Sequence, residues 1–342
     1  MGLFTRRRVG TLKARMSRPG GKALRRVPAW HEACKALRRV DRRKNMTAYR
    51  HLLCPVDFSE SSRRAVAWSS RFSKEVGARL TVLHVVDTEL LSIGNLVAVP
   101  HAFDELRRRA EEALASLKRE IDLGHAYVEI VEGVPEDVLV TAANQRDVDL
   151  LVMGTHGLSG FQRFLLGSVT EKVLHRALVP LLALSPWVEQ QQTIGFRAPR
   201  TIVMAIDFGP ESQSVLRHGT WLAEHFRAKL VALHVVSVPY VMLNESSFEP
   251  LAQLELERIT ESLVAARRKD LEAMLPESTG GETEVVLTVG LPFESLRKVV
   301  EERSGDMVIM GAGGHGNAGI RWLGSTCHKM ARWASCPVMV VR

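Results

Sequence analysis

A duplication constrains this chain more than any other feature of it. "LLCPVDFSESSRRAV" (52–66) answers to "IVMAIDFGPESQSVL" (202–216), and "LHVV" at 83–86 returns at 233–236, both at an offset of 150. Further on, "EGVPEDVL" (132–139) answers to "VGLPFESL" (289–296) and "VPLLAL" to "CPVMVV", now at an offset of 157. The chain is therefore expected to fold as one architecture built twice, with about seven extra residues in the middle of the second copy.

Within each copy, short apolar runs alternate with helical patterns. In the first, "HLLCPVD" and "RLTVLHVV" read as strands. Between them Ala65, Trp68, Phe72 and Val76 recur at helical spacing, and Leu106, Ala110, Leu114, Leu117 and Ile121 mark a second helix. A strand near "YVEIV", a helix from about Pro135, a strand "DLLVM", a helix near 168–178 and a last strand "PLLAL" complete the copy. Strands that are apolar throughout suit a parallel sheet covered on both faces. The predicted fold is α/β, two tandem doubly wound parallel five-stranded domains. The expected boundaries are a basic arm over 1–46, a first domain over 47–186, a linker over 187–199 and a second domain over 200–342. The linker reading rests on "SPWVEQQQTIGFRAPR", which is polar and without periodicity.

The segment "MGTHGLSGFQRFLLGSV" (153–169) lies between a strand and a helix. Its glycines at 154, 157 and 167, followed by Ser168, have the spacing G-x2-G-x9-G-S. Gly311, Gly314, Gly324 and Ser325 repeat it. Ligands of open α/β sheets sit beyond the carboxyl ends of the strands. A glycine there permits positive φ and close approach to a ligand, and the amides of a following helix N-terminus attract an anion. A structural reading stands beside this one. Gly154 can simply make the turn, and Ser168 with Glu171 has the spacing of a capping box. Residue 328 in the second copy is His, which makes no such box.

Taken together, these residues resemble a tandem universal stress protein, with two such domains covering roughly 47–342. The first copy carries the likeness in "CPVDFSESSRRAV", "LHVVD" and "MGTHGLSGFQRFLLGSVTEKVLHRALVPLLAL". The second carries it in "AIDFGPES", "LHVV" and "MGAGGHGNAGIRWLGSTCHKM". The resemblance implies a Rossmann-like fold of the adenine nucleotide alpha hydrolase type and a bound ATP, with magnesium as a candidate companion. It implies that Asp57 and Asp207 reach the adenosine and that Val85 and Val235 lie by adenine. Gly154, Gly157, Gly167 and Ser168 would line the phosphates in one copy, and Gly311, Gly314, Gly324 and Ser325 in the other. It also implies that the last strands, 180–184 and 337–341, pair within the chain as an intrachain pseudo-dimer. Asp57 and Asp207 have a local alternative, ordering the turn into the first helix. His84 and His234 read as structural. In the second copy, Gly209-Pro210 replaces Ser59-Glu60 and Trp322 stands where the first has Leu165.

Charge divides the chain unevenly. Residues 1–50 hold sixteen Lys or Arg against Glu32 and Asp41, so the rest of this +8 chain sums to −6. Three readings of the arm follow: electrostatic contact with nucleic acid or acidic membrane lipid, an Arg-rich transit peptide, and a segment ahead of Met46 that is a disordered tail or absent from the native protein. Four cysteines without C-x-x-C pairing predict reduced thiols in a cytoplasmic protein. No apolar run is long enough for a membrane span, and no Walker A motif, catalytic triad or metal constellation stands out. The expected function is a nucleotide-dependent stress sensor or regulator with little or no catalysis and no catalytic residue assigned. Slow ATP hydrolysis and a nucleotide-free dimerisation or chaperone-like module are the alternatives. Further homodimerisation and an unidentified protein partner complete the expected interactions.

Overall fold

The computed structural model describes residues 49–89, 102–145, 147–156, 166–188, 196–237, 250–276, 281–313 and 323–342. The first copy contributes β1 (His51–Pro55), α1 (Glu60–Val76), β2 (Arg79–Asp87), α2 (Ala102–Glu120), β3 (Tyr127–Gly133), α3 (Pro135–Gln145), β4 (Leu150–Gly154), α4 (Ser168–Arg176) and β5 (Leu181–Leu184). The second contributes β6 (Thr201–Ala205), α5 (Ser212–Phe226), β7 (Lys229–Val236), α6 (Pro250–Met274), β8 (Thr283–Val289), α7 (Pro292–Glu302), β9 (Met307–Gly311), α8 (Ser325–Trp333) and β10 (Val338–Val341). Each element read from the first copy's sequence is present. The second copy follows the same order.

The two five-stranded sheets are continuous as one ten-stranded sheet in the order β3-β2-β1-β4-β5-β10-β9-β6-β7-β8. Within each copy the pairing is parallel. Among the described residues the one reversal is at the seam, where β5 meets β10 antiparallel, with Leu182 opposite Met339. The expected pairing of the last strands within the chain is thus observed. It removes the inner edge of each sheet. Alternate residues of a strand face opposite sides. Leu52 and Cys54 enter the layer under α1 and α5, while Leu53 faces the layer under α3, α4, α7 and α8.

Equivalent carboxylates fix the strand starts. Asp149 Oδ2 accepts from the Arg50 and His51 amides at 2.8 and 3.0 Å, and Asp306 Oδ2 from Arg200 and Thr201 at the same distances. Across the seam, Tyr49 of the first copy meets Trp221 of the second and Phe72 meets Phe226, while Trp68 stacks on Phe72. The segment read as a polar linker joins them. Phe196 is buried edge-on against Trp68 and Phe72, each at 5.2 Å, because the junction between α1 and α5 offers an aromatic slot.

Candidate functional site

In the order β3-β2-β1-β4-β5 the chain direction of winding changes between β1 and β4, and in the second copy between β6 and β9. A crevice opens at such a switch point beyond the carboxyl ends of the strands. Asp57 follows β1 and Gly154 ends β4, while Asp207 follows β6 and Gly311 ends β9. The topology therefore brings each predicted aspartate beside the first glycine of its own copy.

The turn after β1 is tightly specified. Asp57 Oδ1 accepts from the Ser59 amide at 3.0 Å and from its hydroxyl at 2.6 Å. Ser59 caps α1 by accepting from the Ser62 amide at 3.2 Å. In the second copy, Asp207 Oδ1 accepts from the Gly209 amide at 2.8 Å and from Ser212 Oγ at 3.2 Å. So the local role weighed for these aspartates is realised, through one carboxylate oxygen of each. Between aspartate and helix, Phe58 and Phe208 hold φ of 65° and 60°. Positive φ is costly for a residue with a bulky side chain, and its recurrence at equivalent positions marks a constrained turn. Sequence reading missed this pair; their identical place after the aspartate was the available signal.

His84 and His234 support the turn from behind. Each Nδ1 lies 2.7 Å from a carbonyl oxygen, that of Val56 and of Ile206. Burial pulls the His84 pKa below the ordinary histidine value. Both are structural, as expected. Val85 and Val235 are partly buried near the ends of β2 and β7 and pack toward the α3/α4 and α7/α8 face.

The glycines correct one expectation. Gly154, Gly167, Gly311 and Gly324 do not take positive φ. Gly154 is required by close approach instead: a Cβ there would lie 2.9 Å from the backbone carbonyl of Ser61 in α1. A Cβ on Gly311 would lie 2.9 Å from Glu211 Cβ. Gly157 and Gly314 lie outside the described residues, as do residues 1–48, Leu165, His315 and Trp322.

Loop closure is the same in both copies. The Gly167 amide donates to the Thr155 carbonyl at 2.7 Å, and the Gly324 amide to that of Ala312 at 2.8 Å. Gly167 is the N-cap of α4, with φ −58° and ψ 136°, and provides no side-chain cap. Ser168 is therefore the first helical residue, not the cap, and the capping box with Glu171 does not form. Glu171 instead faces His328 of α8 at 3.7 Å, across the seam. The first intrahelical bond is Glu171 N–H to Gly167 C=O at 2.9 Å, so the amides of Ser168, Val169 and Thr170 precede it. Thr170 Oγ donates to the Gly154 carbonyl at 2.9 Å and fixes the helix end against β4. Gly324 caps α8 in the same manner, with φ −62° and ψ 144°. Two uncapped helix N-termini thus face the two switch-point crevices, an arrangement that favours anions.

A duplicated doubly wound sheet, joined along its last strands and with a helix start lacking a side-chain cap at each switch point, defines the class of protein. The sequence model of the Universal stress protein family matches residues 48–185 and 199–342, and the chain belongs to that family. It is 26% identical to a universal stress protein of Mycolicibacterium smegmatis over 298 residues, 85% of this chain and 96% of the relative. It is 30% identical to universal stress protein MJ0577 of Methanocaldococcus jannaschii over 151 residues, 39% of this chain and 93% of that one. The crystal structure of a universal stress protein from Archaeoglobus fulgidus shares the fold, with a TM-score of 0.57 at 23% identity over 85% of this chain and 98% of that chain.

Proposed function

We propose that this chain is an ATP-binding regulator of the stress response, working in the cytoplasm by nucleotide recognition rather than turnover. The observation that carries this reading is the uncapped start of α4, whose first amides follow a loop pinned at its base by Thr155 and Gly167. In the first copy, the Ser168, Val169 and Thr170 amides and the Ser168 hydroxyl would hold phosphate oxygens. The second oxygen of Asp57 would accept from a ribose hydroxyl, with Val85 beside the base. Asp207, Val235, Gly324 and Ser325 would take the corresponding roles in the second copy. Among the described residues no cluster of three His, Cys, Asp or Glu is placed to hold a metal. Magnesium would accordingly arrive on the phosphates. No helix among the described residues is long and apolar enough to cross a membrane.

A proline at 168 gives a clean test. The first helical position tolerates proline, and Gly167 already has the extended backbone that a residue before proline prefers. Ser168→Pro should leave the helix intact while removing one amide and one hydroxyl from the phosphate end. Nucleotide released by denaturation and separated by chromatography should include ATP. Ser168→Pro should then lose affinity with an unchanged unfolding midpoint. Absence of nucleotide, with no uptake of added ATP and magnesium, would favour the nucleotide-free dimerisation module. That second reading has its own support, since Gly154 and Gly311 are already explained by helix packing.

A further inference from the structure

The two crevices agree at the nucleoside end and differ at the phosphate end. Aspartate, positive-φ phenylalanine and buttressing histidine recur in both. At the position where α1 or α5 crosses the first loop glycine, the first copy has Ser61 and the second has Glu211, at the offset of 150. Ser61 Oγ is buried and makes no hydrogen bond. Glu211 is the N-cap of α5, yet its side chain does not cap the helix. It extends past Gly311 to Gly313, where a Cβ would lie 3.0 Å from Oε1 and 3.4 Å from Oε2. Gly313 in turn presents its carbonyl 3.3 Å from the Cβ position of Gly324, the N-cap of α8. The carboxylate therefore stands against the base of the loop whose helix would receive phosphates. Among the described residues no Lys or Arg forms an ion pair with Glu211. Arg267 stacks over Phe208 at 5.1 Å, at the nucleoside end, and is paired with Asp270.

We infer that the two pockets are chemically unequal: the first takes a nucleoside polyphosphate, and Glu211 makes the second reject the polyphosphate tail and accept an uncharged adenosine-type ligand. This rests on the nucleotide reading given above. A fixed negative charge at the phosphate end opposes a ligand with several negative charges, and a repulsive element of this kind sets specificity without altering the rest of a site. Gly313 serves the same end. Its first-copy equivalent is His156, hydrogen-bonded through Nδ1 to Thr155 Oγ at 2.9 Å. With glycine in that place the carboxylate has room.

Calorimetric titration of the full chain with ATP and with adenosine, with and without magnesium, tests the inference. Wild type should bind adenosine at both sites and ATP tightly at one. Glu211→Gln, nearly isosteric, should strengthen the second ATP site by about tenfold or more. Ser61→Glu should weaken the first by a similar factor; if it fails to fold, Glu211→Gln decides alone. Two equal ATP sites in wild type, or no response to Glu211→Gln, would overturn the inequality and leave the nucleotide reading standing. Tight ATP binding at the second site that appears only with magnesium would overturn it too, making Glu211 a metal ligand. Binding of neither ATP nor adenosine would end both readings.

Discussion

Gly154 shows how one residue can satisfy two demands at once. The crossing of α1 over the end of β4 leaves no room for a Cβ, whatever the crevice holds. Gly154→Ala should therefore destabilise the fold by about 1–3 kcal/mol, as overpacking against backbone does. Urea denaturation would measure it, and an unchanged midpoint would mean that α1 shifts freely. Any loss of ligand in that variant has to be separated from this packing cost, which is why proline at 168 is the sharper probe. Gly133 and Gly290 are a different case. Their φ of 151° and 149° lies where only glycine sits comfortably, and each turns the chain from an edge strand into the helix behind it. This explains why "EGVP" and "VGLP" agree in that glycine.

Among the elements, α1 and α5 are near-copies that begin differently. Ser59 caps α1 and also donates to Asp57. In α5 the cap is Glu211, which provides no such bond, and Asp207 is held by Gly209 and Ser212 instead. Ser59→Ala should cost about 1 kcal/mol from the lost cap. It should also remove the hydroxyl bond to Asp57 Oδ1 while the bond from the amide of residue 59 remains, a loosening visible as a changed affinity for adenosine in the first pocket. A variant that loses stability with no change in affinity would confine Asp57 to the turn. At the opposite ends of the crevices, α4 and α8 are alike in lacking a side-chain cap. Their first turns are connected across the seam by Glu171 and His328.

On the scale of the whole molecule, the seam joins two copies that are not interchangeable. Tyr49 of the first copy is hydrogen-bonded to His218 of the second at 2.7 Å, within the aromatic layer. Burial, with help from Arg217, lowers the His218 pKa from 6.5 to about 4. The unfolded chain therefore takes up a proton at this residue over a range where the folded chain does not. Stability from this group is complete above pH 6.5 and falls as the pH drops through about 4, by roughly 3 kcal/mol in all. Chemical denaturation at stepped pH should show this slope in wild type. His218→Gln should flatten it relative to wild type, and parallel curves would place the acid sensitivity elsewhere. The seam also predicts the behaviour of a single copy. Residues 48–188 alone would expose the β5 edge and the apolar faces of Tyr49, Trp68 and Phe72. They should self-associate in analytical ultracentrifugation, and a stable monomer would contradict the role given to the seam.

Much of this was determined by the sequence by itself. Local periodicity placed every helix and strand of the first copy, and repetition implied the second. Apolar strands such as "LLVM" required cover on both faces. The spacing of Gly154, Gly167 and Ser168 marked a strand, loop and helix start, because those signals lie close together along the chain. The tertiary structure alone decided what depended on distant segments meeting. It showed that Gly154 answers to Ser61, that Phe196 belongs to a core, that Ser168 follows the cap rather than serving as it, and that Glu211 reaches Gly313. Each is a contact across elements or a backbone geometry set by such contacts, and side-chain type and spacing do not report these until the chain has folded.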